Sequence, residues 1–124
     1  MRKRIVVVDD DQSILDLIQH FLKDNYDVVT TKESNEVLEL IDKAGTDLLI
    51  TDIRMPDIDG IELIQEVVKK YPSLKILAIS AGGYVVSPES YLNIAELSGS
   101  SSRLEKPFSK ETLISAINRL INKT

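Results

Sequence analysis

Short runs of β-branched residues alternate with longer amphipathic stretches along this chain, and this alternation constrains the fold more than any other feature. Strand-like runs are predicted at residues 4–8, 26–30, 47–51, 75–79 and 102–105. After each run, apolar residues recur at the spacing of one helix face. Five strand–helix repeats require a parallel sheet with helices on both faces and right-handed crossovers. The sequence therefore predicts an α/β fold with a doubly wound five-stranded parallel sheet.

Local capping signals place the helix starts. Asp11 is expected to cap the first helix, and the acidic stretch 33–36 is expected to begin the second. Ser87-Pro88-Glu89 predicts the start of a fourth helix, because it combines a capping hydroxyl, a first-turn proline and an acid. Ser109 is expected to cap the last helix, and His20 is expected on the surface of the first.

Composition narrows the class of protein. The 124 residues fit one domain spanning 1–124, and the absence of cysteine excludes disulfides, thiolate zinc sites and cysteine nucleophiles. The formal net charge of -5 argues against direct nucleic-acid binding. No apolar run approaches membrane-spanning length. We expect a cytoplasmic domain that is not bound to a membrane.

The polar residues of interest follow the predicted strands directly. In an open doubly wound sheet, ligands bind outside the carboxyl ends of the strands. If the strands take the flavodoxin-like order 2-1-3-4-5, the first and third strands are neighbours. Asp9, Asp10 and Asp52 would then converge in one pocket, flanked by Ser80 and Lys106.

Such a pocket has the parts of a phosphoryl-transfer site. Three close carboxylates repel one another, so at least one should have a raised pKa. A hard divalent cation and the Lys106 ammonium would relieve the repulsion, and Mg²⁺ fits best because it binds one or two carboxylates and keeps waters that a phosphate can replace. A carboxylate could then act as nucleophile toward phosphorus. Ser80 could donate a hydrogen bond to a phosphoryl oxygen, and Lys106 could pair with another.

Each of these residues also has a simpler explanation. Asp11 is better explained as a helix cap than as a ligand, and Asp52 could belong to a turn. Ser80 alone is an ordinary loop serine, and Lys106 alone would usually be a solvated lysine. Only their common placement at the strand ends makes the set specific.

Three segments resemble the receiver domains of bacterial two-component response regulators, and the resemblance covers essentially the whole chain. The segment 6–11 is similar to the opening acidic pair of that family. The segment Thr51-Asp52-Ile53-Arg54-Met55-Pro56-Asp57-Ile58-Asp59-Gly60 is similar to its phosphoacceptor segment and is the most specific of the three. Lys106-Pro107-Phe108 resembles its lysine–proline motif.

The resemblance implies a role for each acid. Asp52 would be the phosphoacceptor and a ligand of Mg²⁺, and Asp10 would bind the ion directly. Asp9 would act mainly through a metal-bound water, and the backbone carbonyl of Arg54 would complete the metal shell.

Ser80 and Lys106 match the family, whereas two other features of the sequence depart from it. Ser80 would be the hydroxyl that follows the phosphoryl group, and Lys106 would couple phosphorylation to the rest of the fold. A cis peptide before Pro107 would fix the direction of the lysine. Arg103 stands where the family often has an aromatic switch residue, although an arginine could exchange ion-pair partners instead. The segment between Ser80 and Lys106, with Gly82-Gly83 near its start, is longer than usual in the family. The resemblance therefore does not define the output face built on the fourth helix and the fifth strand.

By this resemblance the chain is a signalling switch that catalyses only its own phosphorylation and dephosphorylation. Its partners would be a sensor histidine kinase or a histidine phosphotransfer protein, and an unidentified downstream protein. A polar C-terminal tail favours a stand-alone regulator, although a receiver cut from a longer protein stays open.

Three other functions remain as alternatives. Asp9 and Asp11 form the Asp-x-Asp pattern of a haloacid dehalogenase-type phosphatase, but the chain is short for that fold and lacks a late acidic pair. An FMN-binding module should have a phosphate loop where three aspartates stand here. The last alternative is a degenerate receiver that binds proteins without being phosphorylated.

Overall fold

The computed structural model describes residues 2–52, 59–81 and 101–121, which contain a sheet of five parallel strands. The strands are β1 (Arg4–Val8), β2 (Asp27–Thr31), β3 (Leu48–Asp52), β4 (Lys75–Ala81) and β5 (Ser102–Lys106). Their order in the sheet is β2-β1-β3-β4-β5, and every neighbouring pair is parallel. The predicted α/β class and the order 2-1-3-4-5 are confirmed.

Three of the described helices connect strands, and a fourth follows β5. They are α1 (Gln12–Leu22), α2 (Val37–Lys43), α3 (Asp59–Lys70) and α4 (Lys110–Ile121), with a 3₁₀ turn at Ser34–Glu36 just before α2. The helix predicted to start at Ser87 and the Gly82-Gly83 segment lie outside the described residues. Among the helices that the structure describes, none is long and apolar enough to cross a membrane.

The sheet has a buried apolar core on each face. Residues of β1 alternate between the two faces, with Val6 and Val8 on one and Ile5 and Val7 on the other. On the first face the sheet packs against α2 and α3, and on the second against α1 and α4. Burial on both faces explains why the central strands are nearly continuous apolar runs.

Side chains cap two of the helices as the sequence predicts. The carboxylate of Asp11 accepts a hydrogen bond from the backbone N–H of Ser13 at 2.9 Å. The hydroxyl oxygen of Ser109 accepts one from the backbone N–H of Thr112 at 3.1 Å. Each bond satisfies a donor that the first helical turn cannot satisfy itself. His20 is exposed on α1, as predicted.

Candidate functional site

The carboxyl ends of β1 and β3 meet at one edge of the sheet. The register pairs Val8 with Thr51, so the next residues of the two strands, Asp9 and Asp52, lie side by side. Both are buried, with 0% of Asp9 and 4% of Asp52 exposed. Strand order alone therefore brings together two acids that are far apart in the sequence.

Asp10 joins these two acids in a three-carboxylate cluster. One carboxylate oxygen from each of Asp9, Asp10 and Asp52 lies within 4.8 Å of the others, and Asp10 is the exposed member. Such a set of hard oxygen donors, open to solvent on one side, suits a divalent cation that keeps some of its waters. The residues present thus fit Mg²⁺.

Lys106 reaches the cluster from β5, the edge strand beyond β4. It is the last residue of β5, and its side chain is 11% exposed. Its ammonium lies 2.8 Å from Asp9 Oδ2 and 3.4 Å from Asp52 Oδ2. The peptide bond between Lys106 and Pro107 is cis, as the family resemblance implies. One ammonium therefore compensates part of the charge of two buried acids.

The pKa of Asp9 shows that the compensation is incomplete. This pKa is raised from 3.8 to about 6, mainly by burial and in addition by the negative charge of Asp52. Hydrogen bonds from Lys106 and from the backbone N–H of Asp11 oppose the rise. One acid of the cluster has a raised pKa, as predicted, but burial contributes more to the rise than the repulsion between carboxylates on which the prediction rested.

Asp11 behaves differently although it is only two residues away. Hydrogen bonds from the hydroxyl and the backbone N–H of Ser13 lower the pKa of this exposed carboxyl. Its contacts are those of a helix cap, which agrees with the simpler explanation of this residue.

Two further residues belong to the site that the sequence predicts, Ser80 and Arg54. Ser80 is fully buried in β4, one residue beyond the partner of Asp52 in the register, and the strand continues past it to Ala81. The fourth strand was predicted over 75–79 with Ser80 at its end, and the observed strand is two residues longer. Arg54, predicted to offer a backbone carbonyl, lies outside the described residues.

Sequence reasoning missed two residues behind the cluster, Thr31 and Glu36. The backbone carbonyl of Thr31 accepts a hydrogen bond from the N–H of Asp9 at 3.2 Å. The Thr31 hydroxyl donates to the carboxylate of Glu36 at 2.6 Å. The sequence did offer one signal for Thr31, because this residue directly follows the second predicted strand, which the expected order places beside the first.

Comparison with known proteins identifies the class of protein that has this fold and this acidic site. The family model of the response regulator receiver domain matches residues 5–118. The chain therefore belongs to the response regulator receiver domain family of two-component signalling. Members of this class accept a phosphoryl group and switch conformation, and they are signalling switches rather than classical enzymes.

Among individual proteins, the transcriptional regulatory protein DegU of Brevibacillus brevis is 30% identical over 117 residues. The match covers 92% of this chain and 48% of DegU, so the chain spans about half the length of that curated relative. The family match favours the receiver interpretation over the phosphatase and flavin-binding alternatives.

Solved structures support the same assignment. The chemotaxis protein CheY4 of Vibrio cholerae is 31% identical, with a TM-score of 0.85, and the match covers 98% of this chain and 100% of CheY4. NtrX of Brucella abortus is 29% identical, with a TM-score of 0.89, over 98% of this chain and 27% of NtrX.

Proposed function

We propose that Asp52 accepts a phosphoryl group from the phosphohistidine of a sensor histidine kinase or a histidine phosphotransfer protein. The observation that carries the proposal is the cluster of three carboxylates with the Lys106 ammonium 2.8 and 3.4 Å from two of them. This arrangement concentrates negative charge and places one cation beside it. It suits a site that receives a phosphoryl group better than a site that only holds the fold together.

The transfer begins when a carboxylate oxygen of Asp52 attacks the phosphorus of the donor. A new oxygen–phosphorus bond forms while the phosphorus–nitrogen bond of the phosphohistidine breaks. The imidazole leaves with the electron pair of that bond and takes up a proton. The product is an aspartyl phosphate, and attack of water on its phosphorus returns the carboxylate and releases inorganic phosphate.

Asp9, Asp10 and Asp52, with the backbone carbonyl of Arg54, would hold Mg²⁺ in this site. When bound, the ion would supply positive charge that reduces the repulsion of the carboxylates toward the phosphoryl oxygens. Asp10 is the exposed acid of the cluster and is accessible to an ion arriving from solvent. Asp9 contributes from its buried position beside Lys106.

Lys106 and Ser80 act on the phosphoryl group after transfer in this proposal. The Lys106 ammonium, 3.4 Å from Asp52 Oδ2, pairs with a phosphoryl oxygen. The Ser80 hydroxyl donates a hydrogen bond to another of these oxygens. Both contacts form only when Asp52 is phosphorylated, so they bias the protein toward one of two conformations.

Residues 1–124 act as one receiver domain in the cytoplasm, and the switched conformation controls a downstream protein. The domain catalyses only its own phosphorylation and dephosphorylation.

The test is incubation of the purified protein with acetyl phosphate, with and without Mg²⁺, followed by measurement of intact mass. Acetyl phosphate donates its phosphoryl group with acetate as leaving group. We expect a single phosphoryl adduct that requires Mg²⁺ and is absent in Asp52→Asn. Asp11→Asn is the matched control, because it removes a neighbouring carboxylate that caps a helix, and it should keep the adduct.

An adduct on Asp52→Asn, or one formed equally well without Mg²⁺, would contradict the proposed site. If no adduct forms, the experiment is repeated with a phosphorylated histidine phosphotransfer protein as donor. Failure with both donors would favour the degenerate receiver, and output that persists in Asp52→Asn would support that alternative.

A further inference from the structure

A chain of hydrogen bonds leads from the start of α2 to the backbone of Asp9. Glu36 accepts a hydrogen bond from the Thr31 hydroxyl, with 2.6 Å between the two oxygens. The backbone carbonyl of Thr31 accepts the N–H of Asp9 at 3.2 Å. Asp9 is the first residue beyond β1, and Thr31 is the last residue of β2. The end of β2 therefore connects a carboxylate outside the cluster to an acid inside it.

The Thr31 hydroxyl occupies a closely defined position. Thr31 is 7% exposed, so its hydroxyl has little access to water and depends on protein partners. It donates its hydrogen to Glu36 and accepts the backbone N–H of Glu33 at 3.0 Å. The bond to Glu36 is charge-assisted, and its length is typical of the stronger O–H···O⁻ hydrogen bonds. These two contacts hold the end of β2 against the turn that begins α2.

Hydrogen bonds hold both the backbone and the carboxylate of Asp9. Its N–H donates to the Thr31 carbonyl, and its Oδ1 accepts the backbone N–H of Asp11 at 2.9 Å. Its Oδ2 accepts from Lys106 at 2.8 Å. The Thr31 carbonyl therefore contacts the backbone of Asp9, while Asp11 and Lys106 contact its carboxylate.

We propose that Thr31 and Glu36 are positioning residues for the cation site, acting on it through the backbone of Asp9. The inference rests on the proposed function, since it concerns the Mg²⁺ that function requires. Neither residue would bind the ion itself. Partners behind a metal ligand orient that ligand, and their loss weakens metal binding.

The test measures the dissociation constant for Mg²⁺ by titration calorimetry on the full chain. Thr31→Val keeps the shape of the side chain but removes the hydroxyl, and we expect roughly three- to tenfold weaker binding, below the usual range for a direct partner of a ligand. Thr31→Ser restores the hydroxyl and should bind within about twofold of wild type. Thr30→Val is the matched control, one residue earlier on the same strand, and should leave the affinity unchanged.

Glu36→Gln tests the other end of the hydrogen-bond chain. It removes a negative charge as well as a strong acceptor, so Glu39→Gln serves as its control, since Glu39 is an exposed acid of α2. Glu36→Gln should weaken Mg²⁺ binding more than Glu39→Gln does. The double variant Thr31→Val/Glu36→Gln should lose less than the product of the two single losses, because both remove the same contact.

A second measurement separates positioning from general destabilisation. Hydrogen exchange at the Asp9 amide reports directly on its bond to the Thr31 carbonyl. We expect faster exchange at Asp9 in Thr31→Val, while amides of the central strand β3 exchange as in wild type. A variant that merely loosened the whole fold would accelerate both.

The outcomes are distinguishable. Equal Mg²⁺ affinity in Thr31→Val and wild type, or equal losses in Thr31→Val and Thr30→Val, would overturn the inference and leave the proposed function intact. A wild-type protein that binds no Mg²⁺ would overturn the proposed function, and the inference with it.

Discussion

At the residue scale, local environment separates two acids of the same sequence run. Asp9 is buried and has a pKa raised to about 6, whereas the exposed Asp11 has a pKa lowered by hydrogen bonds from Ser13. Burial disfavours the ionised carboxyl, and hydrogen bonds to the ionised form favour it. The same chemical group is therefore a source of instability at Asp9 and a helix cap at Asp11.

The raised pKa of Asp9 implies a pH-dependent cost to folding. The folded protein binds the Asp9 proton more tightly than the unfolded chain, whose pKa is near 3.8. The free energy of unfolding therefore falls, through this group, as the pH rises from about 4 to above 6. Asp9→Asn removes that cost, so at pH 7 without divalent cations it should raise the free energy of unfolding by about 1–3 kcal/mol.

The measurement is urea unfolding of Asp9→Asn and wild type between pH 4.5 and 7.5. The difference between their free energies of unfolding should grow as the pH rises. Asp24→Asn is the charge control, since Asp24 is exposed, and it should change stability by less than about 0.5 kcal/mol. A difference for Asp9→Asn that stays constant across this range would contradict the assigned cause.

At the scale of elements, strands differ in how completely they are buried. All five residues of β3 are buried, whereas β5 alternates between exposed and half-buried residues. β2 and β5 are the two edge strands of the sheet. A central parallel strand is apolar throughout, but an edge strand contacts solvent and shows a weaker pattern.

The helices depend on their caps as well as on their apolar faces. Ser109→Ala removes the side chain that accepts the N–H of Thr112 at the start of α4. We expect a loss of about 0.5–2 kcal/mol in the free energy of unfolding, measured by urea denaturation. Ser109→Asp keeps an acceptor at the same position and should retain most of the stability. Equal losses in the two variants would show that the side-chain cap contributes nothing.

At the scale of the whole molecule, one sheet supports two separate cores. Leu49 and Ile50 are adjacent in β3, yet Leu49 packs with α2 and α3 while Ile50 packs with α1 and α4. Both are fully buried. The stability of either side therefore depends on the same central strand.

Leu49→Ala and Ile50→Ala should each lower the free energy of unfolding by about 2–5 kcal/mol, because each leaves a cavity in a close-packed core. Glu66→Ala, on the exposed face of α3, is the control and should change it by less than about 0.5 kcal/mol. The measurement is the urea concentration at the midpoint of unfolding, compared between proteins whose free energy of unfolding has the same dependence on urea concentration. A loss below about 1 kcal/mol in either core variant would contradict close packing on that face.

The sequence by itself determined the kind and order of the described strands and α-helices, although part of the acidic stretch predicted to begin the second helix forms a 3₁₀ turn before it. Apolar periodicity predicts each strand within two residues of its observed bounds, and capping residues mark the starts of α1 and α4. It also predicted that Asp9, Asp10 and Asp52 converge, because the carboxyl ends of parallel strands share one edge. These features follow from local patterns and from one rule of topology.

Only the tertiary structure decided how the groups of the site meet. The 2.8 Å contact of Lys106 with Asp9 joins residues from opposite ends of the chain. The burial that raises the pKa of Asp9, and the approach of Thr31 to that residue, likewise depend on how strands pack and on the register of β1 with β2. Local patterns predict which elements form, but distances between side chains of separate elements are set by packing, and those distances decide pKa values and ion pairs.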